Sequence, residues 1–226
     1  METLIIPLIV LVAIGGIVLS YYLKKKRRDE MATFALQNGL TFSAEDTSGI
    51  VGWPFTLFGR GDGRGAENVV SGKWKKKDPV TAFDYWYYTE STDSKGNRTR
   101  SYHRFSCATI DVPAAFPHLE IAREGVFTWL ADRVGLEDIE FESPEFNRRY
   151  NVKAQEQKFA FEVLDARMLR WLVDFDQGLA FEVAGNRVLA YRKRHGASGM
   201  MPLIETLLMF RERIPRVAWS LHPLPG

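Results

Sequence analysis

From Thr3 to Leu23 the chain reads TLIIPLIVLVAIGGIVLSYYL without a charge, and the next five residues are Lys24, Lys25, Lys26, Arg27 and Arg28. A run of this kind leaves few choices. At about 1.5 Å per residue it makes a helix of roughly 31 Å, which matches the hydrocarbon core of a bilayer. A cleaved secretory signal would need a basic n-region, a shorter apolar stretch and a small-residue cleavage site. Here Glu2 is the only charge before the run, and Tyr21-Tyr22-Leu23 leads straight into Lys24. Residues 1–23 are therefore expected to form one transmembrane helix, with Tyr21 and Tyr22 at the water interface. Gly16 and Ser20 form a single small-x-x-x-small pair, a weak signal for helix self-association.

Charge asymmetry orients such a helix. The basic cluster flanks its C-terminal end, so the positive-inside rule puts the N-terminus outside and the remainder of the chain in the cytoplasm, at the inner (plasma) membrane. The lone Cys107 cannot form an internal disulfide, in keeping with a reducing compartment. The chain has a formal charge of +2, but with residues 24–28 set aside the part beyond Leu23 carries −2. A nucleic-acid binder would show a basic body. The expected partners are thus the lipid bilayer with its anionic headgroups, toward which each basic residue contributes about 1 kcal/mol, and a protein.

Residues 24–39 read as a basic collar and juxtamembrane helix, with Met31, Phe34 and Ala35 on one face and Gly39 at the C-cap position. That apolar stripe is expected to dock on the domain rather than lie on lipid. Residues 40–226 read as one α+β domain. Candidate strands cover Thr41–Ser43, Phe55–Phe58, Asn68–Ser71, Val80–Thr89, Ser101–Val112 and His118–Ala122, the fourth and fifth joined through the polar hairpin tip ESTDSKGNRTR. Helices are expected at Val126–Val134, Glu156–Phe175 and Pro202–Ile214. Further strands are expected at Asp138–Glu142 and Phe146–Val152, with a hairpin of Leu179–Val183 and Arg187–Arg192 around Ala184-Gly185-Asn186. Strands followed by mixed helices and strands predict an antiparallel sheet with three packed helices.

The motifs carry little chemistry. Gly61-Asp62-Gly63-Arg64-Gly65-Ala66 fits a dinucleotide fingerprint in letters, but Glu67-Asn68-Val69-Val70 after it is too β-branched for the helix that fingerprint needs. Arg60-Gly61-Asp62 is an adhesion tripeptide that the expected orientation turns inward. Gly59, Arg60, Gly61, Gly63, Arg64 and Gly65 are expected to form a mobile connection, with anion binding as the alternative. Lys73, Trp74, Lys75, Lys76 and Lys77 place an aromatic among four lysines, either an exposed turn or, with Lys24 to Arg28, a second membrane-surface contact. His103, His118, His195 and His222 lack metal-ligand spacing, so neither metal nor other cofactor is expected. His103 and Cys107 lie about 13 Å apart along a strand and read as packing residues. Asp138, Glu140 and Glu142 share one strand face and, with Glu145, read as a solvated surface.

The succession DPVTAFDYWYY, SYHRFSCATIDVP, LEIARE and DIEFESPEFNRRYNV resembles a family of uncharacterised bacterial membrane-anchored proteins, a domain of unknown function, over roughly residues 53–214. The resemblance implies a bacterial inner-membrane protein with a cytoplasmic α+β domain and brings no catalytic residues with it. The expectation is a non-enzymatic, membrane-anchored module that binds protein or lipid. The alternative is a ligand-sensing or enzymatic domain whose acidic and aromatic residues, such as Asp84, Tyr85 and Trp86, converge in the fold.

Overall fold

The β-branched and aromatic runs assemble into one antiparallel sheet flanked by helices. The computed structural model describes residues 2–123, 135–175 and 177–225, and within the first helix the side chains of residue 11 and of 14 onward. In chain order the elements are α1 (Glu2–Gln37), β1 (Thr41–Glu45), 3-10 turns at Ile50–Gly52 and Thr56–Gly59, β2 (Gly63–Trp74), β3 (Asp78–Thr92), β4 (Arg98–Arg123) and β5 (Glu137–Ile139). They continue with α2 (Pro144–Asn147), β6 (Tyr150–Ala154), α3 (Gln157–Val163), α4 (Ala166–Asp174) and β7 (Ala180–Lys193). After a 3-10 turn at Ala197–Gly199 come α5 (Met200–Arg213) and α6 (Arg216–Leu221).

The sheet order is β1-β2-β3-β4-β6-β5, and β7 pairs with the other edge of β4. The spine is β4, 26 residues long. One of its edges holds β3 and then β6, and the other holds β7 along most of its length. Strand alternation gives each face its own core. Val80, Ala82, Ala108 and Ile110 join the larger one, under α1, α3, α4, α5 and α6; Phe83, Tyr85, Tyr87, Phe105 and Cys107 join the smaller one. No helix covers this second face among the described residues. A strap of chain over residues 50–60 does so, seating Ile50, Phe55, Leu57 and Phe58 on the sheet.

Several expectations are corrected here. Phe55–Phe58 forms a 3-10 turn rather than a strand, because its aromatic side chains are all drawn down onto one face. Leu179–Val183 and Arg187–Arg192 belong to one strand, β7, and not to a hairpin. Gly185 (φ 57°) supplies a register irregularity opposite Asp111–Phe116 of β4 instead of a reversal. The helix expected over Glu156–Phe175 is two, α3 and α4, because Asp165 turns its carboxylate onto the Met168 amide (2.9 Å) and starts a new helix. Phe146–Val152 begins as the short helix α2, with Pro144 at its first turn and the Ser143 hydroxyl accepting from the Phe146 amide. Beyond α1 the described residues hold five α-helices, α2 to α6, where the sequence places two of its three expected domain helices. The helix expected over Val126–Val134 lies outside the described residues.

The α1 helix is continuous through the basic collar to Gln37, and Gly39 (φ 65°) ends it. Met31, Phe34 and Ala35 dock in the larger core, and Phe34 stacks on Trp74 with ring centroids 6.0 Å apart. Among the described residues no helix is long and apolar enough to cross a membrane. The transmembrane helix expected over residues 1–23 therefore has no support from the described structure.

Candidate functional site

Two buried ionic groups hold the architecture together, one on each face of the sheet. On the larger face Arg27 forks onto Asp84, its Nε donating to Oδ2 at 2.8 Å and its Nη2 to Oδ1 at 2.7 Å. Arg27 is 8 % exposed and Asp84 1 %. Asn68, held at φ 54° where the β2 register shifts, donates to the same carboxylate at 3.1 Å. A buried carboxylate survives when its lone pairs are filled by paired donors, and here α1 and β2 both contribute them. The contact staples α1 to the middle of the sheet.

On the strapped face Glu120 of β4 and Glu182 of β7 are cross-strand neighbours, and Lys153 of β6 stands beside Glu120 on the other edge. Both glutamates are buried. Register irregularities between Asp111 and Leu119 in the pairing of β4 with β7 bring these acids onto the inner face. Glu182 accepts from the backbone amides of Thr56 and Leu57 at the start of the second 3-10 turn. His118 Nε2 lies 2.6 Å from Glu182 Oε1, and Arg60 Nη2 donates to Glu120 at 3.4 Å. Burial, and next the neighbouring Glu182 charge, push the Glu120 carboxyl up to about 7, against the pull of Arg60, His118 and Lys153.

This group does not form a nucleophilic relay. Thr56 Oγ1 also meets His118 at Nε2, at 3.3 Å, so hydroxyl and carboxylate share one ring nitrogen. A relay needs them on opposite nitrogens. What the geometry does is clamp the strap to the sheet.

The sites expected from the sequence separate in the structure. Lys24, Lys25, Lys26 and Arg28 are exposed on α1, whereas Arg27 among them is withdrawn into the staple and is not free to meet headgroups. Trp74 is likewise buried, against Phe34, and not at a lipid surface. Lys75 and Lys76, at φ 49° and 62°, make the tight β2–β3 turn, with Lys75 paired to Glu205 at 2.9 Å. That turn, with Lys73 and Lys77, lies at the Phe34 end of α1. Some 20 Å of strand separate it from Asp84 and the collar. The two halves of the expected basic surface are therefore not brought together.

The glycine-rich stretch is taken up largely by the second 3-10 turn and by β2, where a plain connection was expected. Gly59 ends the second 3-10 turn, Gly63 and Gly65 lie in β2, and the Asp62 amide donates to the Tyr88 carbonyl at 2.9 Å. Its arginines bond to the chain itself: Arg60, half-buried, to Glu120, and Arg64, exposed, to the carbonyls of Phe58 (2.6 Å) and Gly61 (3.3 Å).

Cys107 is buried in the smaller core, which raises its thiol pKa, and His103 stacks on Tyr87 at 4.8 Å. Asp138, Glu140, Glu142 and Glu145 are exposed. Asp84, Tyr85 and Trp86 do not converge: Asp84 is held by Arg27, Tyr85 is in the opposite core, and Trp86 is half-buried on the surface. Among the described residues no group of three His, Cys, Asp or Glu side chains is placed to hold a metal ion. A broad groove of about 770 Å³ runs beside the Gly196–Ser198 turn along α1, lined by Tyr22, Lys25, Lys26 and Phe34 among others.

The staple, the strap clamp and the bonds of Arg60 and Arg64 have no local signature in the sequence. Asn68 before two valines was the one local sign of a bulge. The pairing of Glu120 with Glu182 depends on register over a separation no local pattern spans.

No protein-family model matches the chain, and comparison with curated proteins gives no match. Among solved structures, the crystal structure of the mycobacterial trehalose monomycolate transport factor A, TtfA, is similar in fold, with a TM-score of 0.63 at 14% sequence identity. The similarity covers 90% of this chain and 98% of that one.

Proposed function

We propose that this chain is a membrane-tethered, non-enzymatic module that engages lipid and a protein partner in a lipid-transport process, with its α+β domain on the cytoplasmic side. One observation carries the proposal. Beyond the staple, α1 leaves the domain with Leu11, Ile14, Ile17, Val18, Leu19, Tyr21, Tyr22 and Leu23 each more than half exposed. Ile17, Val18 and Leu19 are consecutive, so the apolar surface runs around the helix and not along one stripe. A helix apolar on all sides is covered by protein or by lipid. In water each large side chain left uncovered forgoes roughly 1.5–3 kcal/mol.

The uncharged stretch from Thr3 to Leu23 has bilayer length, and the exposed Lys24, Lys25, Lys26 and Arg28 follow it at headgroup height. These features favour a bilayer as the cover and the inner leaflet as the side of the collar. The shared fold with a protein described as a trehalose monomycolate transport factor supports lipid transport as the process.

Fractionation with protease protection tests the reading on the full chain. The protein should sediment with membranes, resist alkaline carbonate extraction, and lose its domain to protease only in inside-out vesicles. Recovery in the soluble fraction, or digestion from outside intact spheroplasts, would overturn it.

A further inference from the structure

We propose that the outer part of the β3–β4 ribbon is a second contact with the membrane, an aromatic and arginine ledge that rests on anionic lipid headgroups. This deepens the membrane-tethered reading and depends on it.

The ledge is built by strand alternation. Trp86 and Tyr88 of β3 share a face with Tyr102 and Arg104 of β4, Trp86 opposite Arg104 and Tyr88 opposite Tyr102. The three rings are neighbours, with centroids 6.3 Å apart for Trp86 and Tyr88, 5.4 Å for Tyr88 and Tyr102, and 6.0 Å for Trp86 and Tyr102. The Arg100 guanidinium lies 4.5 Å from the Tyr88 ring centre and that of Arg104 5.0 Å from the Tyr102 ring centre. Tyr102 is 46% exposed.

Beneath this surface β2 contributes glycine where a side chain would lift the rings. A Cβ on Gly65 would stand 2.8 Å from Cζ2 of Trp86, and one on Gly63 would run into the Tyr88 ring. The indole and the phenol therefore lie flat across a third strand, and the ledge is broader than the ribbon alone.

Position and charge select the occupant. Phe34 meets Trp74 at one level of the sheet and Arg27 meets Asp84 at the next. Past that second contact α1 continues to Lys26, Lys25, Lys24 and Tyr22, and β3 continues in the same sense to Trp86 and Tyr88. The ledge is thus on the side of the domain from which the apolar helix departs. Tryptophan and tyrosine beside arginine suit the boundary between headgroups and water, where a ring and a donor face different media. Of the nearby acids Glu90 is paired with Arg100 at 2.6 Å, while Asp93 and Asp62 accept from the neutral Asn97 side chain and Glu90 amide and keep their charge. Arg98 and Arg104 are exposed, and together with the collar they give this end an excess of positive charge to meet phosphate.

The test uses the full chain reconstituted into phosphatidylcholine vesicles with or without phosphatidylglycerol. Native Cys107 is buried, so an environment-sensitive dye can be attached at Thr92→Cys, on the ledge face, or at Ser91→Cys, on the opposite face; both positions are exposed. With phosphatidylglycerol present, the dye at 92 should shift to the blue and be quenched by headgroup-labelled lipid at least about twofold more than the dye at 91. The double variant Arg100→Gln/Arg104→Gln should remove most of that difference.

If the protein floats with the vesicles but 92 and 91 respond equally, the ledge is refuted while the tether stands. A shift at 92 that persists in neutral vesicles, or that disappears on diluting protein within the bilayer, overturns it in favour of apolar insertion or a second copy. Failure to float overturns tether and ledge together.

Discussion

Arg27 shows how one side chain can be misassigned by its neighbours. It stands in a run of five basic residues, and its letter is indistinguishable from theirs, yet the helical phase that points Met31 and Phe34 inward points Arg27 inward too, one turn earlier. Removing it by Arg27→Met would leave the Asp84 carboxylate buried with only Asn68 as a side-chain donor, at a cost of about 3–5 kcal/mol. Urea denaturation should show that loss, and the double variant Arg27→Met/Asp84→Leu should recover most of it. Lys25→Met, exposed, is the control and should stay within about 0.5 kcal/mol of the parent. The reading of Cys107 and His103 as packing groups agrees with the structure because it rested on strand spacing alone. The partner of Asp84 had no such local signature, since Arg27 comes from 57 residues away.

Among the elements, the strap and β2 reverse an inference drawn from composition. Alternating glycines read as freedom, but here they are close approaches to aromatic rings and to backbone. Gly61, at φ 71°, has the Tyr88 carbonyl oxygen 2.5 Å from where a Cβ would stand. Gly61→Ala should therefore cost at least about 2 kcal/mol in thermal or urea denaturation. Gly59→Ala should lie within about 0.5 kcal/mol of the parent, since nothing lies within 4 Å of its Cβ position. The regular strands β3 and β4 and the helix α5 were legible because periodicity and hydrophobic runs are local. The strap was not, because Phe55, Leu57 and Phe58 are held by a sheet face assembled from four distant strands, and the division of α3 from α4 hung on the single cap Asp165.

Taken whole, the domain carries its charge burden in the place where β4, β6, β7 and the strap meet. Glu120 binds its proton more tightly in the folded chain, near pH 7, than at its ordinary value of 4.5. Its contribution to stability is full below pH 4.5 and is lost as the pH rises toward 7, because over that range the folded state holds a proton that the unfolded state has released. Unfolding free energy should therefore fall between pH 5 and pH 8, and Glu120→Gln should flatten that fall by about 1–3 kcal/mol, measured by urea denaturation across the range. An unchanged slope would assign the pH dependence elsewhere. The α+β class and the antiparallel pairing were readable from strand runs, whereas the sheet order, with β7 returning to β4, was not.

The uninterrupted course of α1 sets a phase relation across the chain. From Arg28 to Gln37 it has neither glycine nor proline, and the Arg27 staple and the Phe34 stack lock its azimuth to the sheet. The stretch from Ile17 to Arg27, which also lacks glycine and proline, therefore turns and tilts with the domain as one lever, and this is the base of the helix's outer half. A single residue added between Tyr22 and Lys25 would rotate that outer half by about 100° about the helix axis, and four added residues would bring it nearly back into step.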